Sequence, residues 1–220
     1  MKIRSVLELS EALDEASAWR KKELSTLRIL IATRGRAHEQ AALRRAAVPI
    51  LYAHWEGFAK QAAIYYLHLV TRQRRRYREL GPSFIAIAAR GRIRQAAGSR
   101  RIAAHLPVVE FFLEGLEEEA RMSVDGAIDT ESNLSSAVLR DLLATIGLPY
   151  DTKWSSTELL LDGSLLKTRN DVAHGERTDI DAATYEQLHN LVVDLVDHLK
   201  TSIENQAVSR AYLRAPSSAA

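Results

Sequence analysis

The stretch ILYAHWEGFAKQAAIYYLHLV, residues 50–70, is apolar around most of its circumference when wound as a helix. A helix of that kind needs neighbours on nearly every side, so the stretch predicts the centre of a helical bundle. The rest of the chain agrees. Glycine and proline number only 10 and 5 in 220 residues, and hydrophobic residues make up 46%. Alanine, leucine, arginine and glutamate, all good helix formers, are frequent. No alternating run bounded by turn residues is long enough to make a strand. The expectation is an all-α protein.

Outward from that centre, the pattern predicts a long helix over 37–80, kinked or divided at Pro49 and ended by Gly81-Pro82. A first helix over 5–33 begins with Ser5 and Glu8 as a capping box and stops at Gly35. A short arginine-studded helix covers 83–97. Another covers 100–122, with Leu106, Val109, Phe112, Leu113 and Leu116 as its apolar face and Pro107 marking its first turn. Polar residues 123–136 read as a loop. Ser135 or Ser136 caps the next helix, which ends at Gly147-Leu148-Pro149. Residues 150–156 read as a connection, followed by a helix from Ser156 or Thr157 to Gly175. Its core side is assigned to Leu165, Leu166, Val172 and Ala173. Asp179 or Asp181 caps a final helix to about residue 208. Residues 1–208 form one predicted domain, with 71–122 as an elaboration between core helices and 209–220 as a flexible tail.

Charge is segregated along the chain. Residues 71–101 carry ten arginines against one glutamate, a net +9, whereas residues 102–220 carry a net −11. Arg72, Arg74, Arg75, Arg76, Arg78, Arg90, Arg92 and Arg94, joined by Arg100 and Arg101, have the fork geometry that grips phosphates, and Tyr77 among them can stack on a base. RNA binding is one reading. The other is that these arginines pair with the acidic half of the protein, within the chain or across a dimer.

There is no cysteine, so disulfides, thiolate metal sites and cysteine nucleophiles are excluded. Neither a signal-peptide core nor a run of ~18 apolar residues is found, which leads to the expectation of a cytoplasmic protein without membrane contact. No metal-ligand spacing, phosphate loop or dinucleotide fingerprint is present, so neither metal nor cofactor is expected.

Chemistry concentrates at 167–176, KTRNDVAHGE. On a helix, Asn170 and His174 share a face, Arg169 lies ~140° from His174, and Asp171 is within reach of the His174 ring. A histidine in the last helical turn, beside the negative end of the dipole, is suited to exchange protons near neutral pH. An arginine holds its charge and can keep a phosphate throughout a reaction. Such a set fits RNA cleavage in which one group removes the 2′-OH proton and another protonates the leaving oxygen. One copy carries too few acid–base groups, and two facing copies would supply both. The same residues also suit ordinary helix capping and bracing. Glu56 is in register with Lys60 for an ion pair, and is costly to bury alone, which makes Arg169 a candidate partner. His54 and Trp55 sit beside it.

RNDVAHGE near the start of the last third of an all-α chain, followed by one long amphipathic helix, resembles the HEPN superfamily. LYAHWEGFAK at 51–60 and TRNDVAHGE at 168–176 are similar to a HEPN subfamily of bacterial defence and toxin–antitoxin loci. The resemblance implies a bundle of four or five core helices, a homodimer, and an R-x(4–6)-H motif shared across its axis. It also implies metal-independent endoribonuclease activity, with RNA as substrate and an antitoxin or other defence protein as partner. Arg169 and His174 match the catalytic positions, Asn170 the polar position after the arginine, and Glu56 a supporting place on the neighbouring helix. One toxin group carries a tyrosine two residues after the histidine. Glu176 stands there, so modification of such a tyrosine is not expected. A rival reading is a non-catalytic HEPN module that binds a nucleotide, RNA or a partner protein as a regulator.

Overall fold

A computed structural model describes residues 3–33 and 35–214. Among these residues the fold is all-α, with no strand. The frame is three long helices: α1 (Val6–Thr33), α2 (Ala37–Arg72) and α8 (Ala182–Val208). α2 packs most extensively on α8 and α1. It buries Leu51, Tyr52, Trp55, Phe58, Ala59, Ala62, Ala63, Tyr66 and Leu67, as its all-round apolar pattern requires. α1 starts at the expected capping box: the Glu8 N–H donates to Ser5 Oγ at 3.1 Å and the Ser5 N–H to the Glu8 carboxylate at 3.3 Å. α8 starts at Asp181, whose carboxylate accepts the Thr184 N–H at 2.7 Å. Polar links tie α1 to α8, including Ser10 to Glu204, Lys21 to Asp197 and Arg28 to Glu186.

Several boundaries differ from expectation. α2 runs unbroken through Pro49 but stops at Arg72 rather than at 80. Arg74 adopts a left-handed φ of 50°, a short 3-10 turn follows at Tyr77–Glu79, and Gly81-Pro82 opens the next helix instead of closing the last. A proline in the first turn sacrifices no hydrogen bond, which is why it serves as a start. That helix, α3 (Pro82–Ala96), leads to α4 (Ile102–Leu113), which is much shorter than the expected 100–122 and carries Pro107 in its middle. α3 is anchored by Phe84 against Tyr66, with ring centres 6.3 Å apart. α4 is anchored by Phe111, stacked edge-on to Tyr77 at 5.2 Å. The face of α4 expected to be apolar is so, yet Leu106, Val109, Phe112 and Leu113 point to solvent.

α5 (Ser136–Thr145) has Ser135 as its N-cap and Gly147, at φ 73°, just past its end. α6 (Thr152–Leu160) begins before the expected Ser156 or Thr157, because Asp151 caps it, accepting the Lys153 and Trp154 N–H groups at 2.9 and 3.2 Å. The supposed connection 150–156 is therefore mostly helix. Without a break, a π-helical stretch, Leu161–Leu166, joins α6 to α7 (Lys167–Ala173). Leu165 and Leu166 are buried as expected, but Val172 is half-buried and Ala173 exposed, because α7 ends at the surface.

Residues 209–214 are not a loose tail. Tyr212 is buried, its carbonyl accepts the Gly81 N–H at 2.8 Å, and the Arg214 N–H reaches the Glu79 carbonyl at 2.8 Å. The remainder of the expected tail, 215–220, lies outside the described residues. No helix among them is long and apolar enough to cross a membrane.

Candidate functional site

α7 lies against α2, and the Arg169 side chain is fixed between them. Its guanidinium carbon stands 4.8 Å above the centre of the Tyr52 ring. One Nη donates to Asn170 Oδ1 at 2.7 Å and the other to the Ser132 carbonyl at 3.4 Å. A guanidinium has five N–H groups, so donors remain for a phosphate. A cation over an aromatic face gains about 0.5–2 kcal/mol and keeps its charge.

The loop before α5 supplies the rest of the clamp. The Thr130 hydroxyl donates to Glu56 Oε1 at 2.7 Å, and the Leu134 N–H donates to the Tyr52 hydroxyl at 2.5 Å. Between these two pins, Glu131 and Ser132 both take left-handed φ values, 53° and 52°. Non-glycine residues in that region are strained, and the pins hold the Ser132 carbonyl toward Arg169. Burial, together with Glu56, pushes the Tyr52 phenol up to about 12, against smaller opposing effects of the Leu134 N–H and Arg169. Tyr52 therefore stays protonated and serves as a platform rather than a base.

His174 follows α7 directly. Its N–H closes on the Asn170 carbonyl at 2.9 Å, and Gly175, at φ 78°, turns the chain away. The imidazole is exposed and has no hydrogen-bond partner among the described residues. Asp171 does not meet it: its carboxylate pairs with Lys167 at 2.6 Å. Glu56 faces Thr130 rather than Lys60, and it approaches Arg169 only through Tyr52. His54 belongs elsewhere, buried between Trp19 and Glu23 on the α1 side. Burial lowers the His54 pKa, with Glu23 opposing and Arg20 adding to the fall. Trp55 packs on Trp154 in the core.

Sequence reasoning missed Tyr52, Thr130 and Ser132. Tyr52 looked like any core aromatic, and the loop residues have no periodic signal. It also missed Arg44 and Arg45, which hold the loop after the motif by donating to the Ile180 and Glu176 carbonyls, each at 2.7 Å.

The arginine segment divides in two. Arg76 and Arg78 share Glu117 at 3.3 and 2.7 Å, Arg74 lies 4.0 Å from Glu119, and Arg75 lies 3.4 Å from Glu79. Arg92 stacks on Phe111 at 4.5 Å. Arg90 donates to the Gly126 carbonyl at 2.6 Å. With Arg94, Asp129, Asp141, Ile87 and Ile93, Arg90 lines a cleft of about 770 Å³ between α3 and α5. Arg72 borders a second hollow, next to Arg74 and Asp125. Among the described residues, no group of three His, Asp or Glu converges in a way that could hold a metal.

A family model described as RiboL-PSP-HEPN matches residues 15–205, from within α1 almost to the end of α8. No curated protein and no solved structure matches the chain significantly.

Proposed function

The chain belongs to the RiboL-PSP-HEPN family, and on that premise we propose that it is a metal-independent endoribonuclease, the toxic or effector part of a prokaryotic defence or toxin–antitoxin system. The observation that carries this reading is the fixed Arg169 guanidinium, with donors to spare, followed five residues later by the exposed His174 imidazole. Arg169 grips the scissile phosphate and stabilises the charge that builds on it. His174 transfers a proton, either from the attacking 2′-OH or to the departing 5′-oxygen. Asn170 orients Arg169, and Tyr52, Thr130 and Glu56 keep the clamp in register.

One chain offers a single histidine where the reaction benefits from an acid and a base. The working unit is therefore a homodimer with two 169–174 segments facing one cleft. The exposure of His174 and Ala173 supports this arrangement. RNA leaves the cleft along the loop that carries Ser132 and Asp129, toward Arg90 and Arg94.

RNA cleavage in EDTA tests the reading. Wild type should cleave, whereas Arg169→Ala and His174→Ala should not, and an equal mixture of the two variants should regain part of the activity through shared sites. Full cleavage by His174→Ala would overturn the mechanism, and no cleavage by wild type would leave the regulator reading in its place.

A further inference from the structure

Building on the ribonuclease reading, we propose that the α3–α5 cleft is a base-recognition subsite of the RNA-cleaving surface, and that it selects guanine through Asp141. The cleft encloses about 770 Å³, within the range of sites that take small organic ligands. The Ser83 hydroxyl donates to the Ala144 carbonyl at 2.7 Å and ties the start of α3 to the end of α5. Asp141 stands three residues from this tie, roughly 4–5 Å along α5. Arg90 and Arg94 stand seven and eleven residues from it, roughly 10 and 16 Å along α3. Ile87, Ile93, Ile128 and Leu142 supply apolar surface to the same cleft. An acid therefore lies near the tied end and two cations lie farther along. Neither Asp141 nor Arg94 has a hydrogen-bond or ion-pair partner among the described residues, although both line one cleft. Arg90 keeps donors to spare after its bond to the Gly126 carbonyl. The other acid, Asp129, is already engaged, accepting the Glu131 N–H at 2.8 Å.

The occupant that fits has an anion at one end, flat apolar faces, and hydrogen-bond donors at the other end. A nucleotide of a single strand has all three, and single-stranded RNA is read through bases splayed out of the stack. The arginine forks take its phosphate. A carboxylate only accepts, so Asp141 calls for two donors side by side. Guanine presents them as N1–H and the N2 amino group. Adenine and cytosine set a ring-nitrogen acceptor beside their amino group, and uracil flanks its single N–H with two carbonyls. Each of those three turns an acceptor toward the carboxylate, which rejects it. The subsite also adjoins the motif. Asp129, on the cleft wall, precedes Ser132 by three residues, and the Ser132 carbonyl meets Arg169. Three residues of chain span at most about 11 Å. A strand with one phosphate on Arg169 thus has a nearby base within reach of the cleft.

Nuclear magnetic resonance titration of the chain with the 5′-monophosphates of guanosine, inosine, adenosine, cytidine and uridine tests the subsite without any cleavage. The guanosine nucleotide should bind at least ~10-fold more tightly than those of adenosine, cytidine and uridine, with saturable shifts at Ile87 and Ile128. Inosine, which lacks the N2 amino group, should fall between. Asp141→Asn should erase the preference, and Arg94→Gln should weaken all five nucleotides alike. Both residues are exposed, so both variants should melt as wild type does. In end-mapped digests, cuts by wild type should recur at a fixed distance from guanines, and cuts by Asp141→Asn should lose that pattern. Equal binding of the nucleotides, or a guanine preference that survives Asp141→Asn, would overturn the proposal. Guanine binding by a chain that cleaves no RNA would keep the subsite and remove the ribonuclease reading. Cleavage indifferent to guanine would remove the subsite and keep the ribonuclease.

Discussion

α2 and α4 are both rich in apolar residues, and they meet opposite fates. α2 has α1, α7 and α8 around it, and its aromatic residues vanish into the core. α4 touches the body along the single edge that Phe111 defines. The apolar content of a helix says that it seeks cover, and the number of its neighbours decides whether the chain itself provides that cover. The frame around α2 seats the motif arginine, Arg169, on the Tyr52 ring. The annex around α3 and α4 displays many arginines, several of them in exposed ion pairs of the kind worth about 0–1 kcal/mol.

The sharpest way to separate frame from annex is through chemistry. Arg169→Ala or His174→Ala should lower RNA cleavage by ~10²–10⁴-fold, measured as single-turnover rates. Replacing Arg76 and Arg78 by glutamine should leave the rate at saturating RNA nearly unchanged, because contacts remote from the reacting atoms position the substrate without entering the reaction. Equal losses in the two regions would dissolve the distinction.

Stability is the next contrast. Phe58→Ala, at a fully buried site on α2, should cost about 3–5 kcal/mol in denaturant unfolding. Leu113→Ala, at a site 76% exposed on α4, should stay within about 0.5 kcal/mol at protein concentrations that favour the monomer.

Tyr52 belongs to both measurements. Tyr52→Phe keeps the ring beneath Arg169 but leaves the Leu134 N–H without its acceptor. A stability loss of about 1–3 kcal/mol is expected, with a cleavage rate reduced far less than in Arg169→Ala. Tyr52→Ala removes the platform too and should approach the Arg169→Ala rate.

The smallest effect lies within the annex. Salt-titrated RNA binding should lose about 0.7 in slope for each phosphate contact removed from a single strand. Arg90→Gln with Arg94→Gln should flatten the slope by one to two such steps. Arg76→Gln with Arg78→Gln should change it less, since Glu117 already faces both. The reverse ranking would move the RNA path from the α3–α5 cleft to the 74–78 turn.

The fold class and the long helices were legible because periodicity and caps are local signals. Ser5, Ser135 and Asp181 cap where the sequence says they should. Asp151 went unread because Tyr150 and the polar residues after it resemble a linker, although an aspartate before Thr152 is an ordinary helix start. The direction of the α4 stripe was hidden because burial depends on what lies across from a helix, and periodicity reports only the stripe. In the candidate site, Arg169, Asn170 and His174 stood out through their spacing. Tyr52 and Ser132 did not, since their meeting with Arg169 spans more than a hundred and about forty residues, respectively, and arises only from packing.

The π-helical stretch Leu161–Leu166 acts as a phase shifter between two stretches of one rod. Ahead of it, Trp154 sets the orientation toward the core. Beyond it, the rod is re-aimed so that Arg169 meets Tyr52 and the Ser132 carbonyl. A π turn holds one more residue than an α turn. Excising a single residue such as Gly163, which is exposed, lets the rod close as an uninterrupted α-helix with Arg169 still in phase, whereas closing the turn to α with every residue kept rotates everything after it by about 100°. Arg169 then turns off its aromatic seat with its chemical identity intact. The width of this one turn is therefore an angular control on the motif that acts without altering any side chain in it.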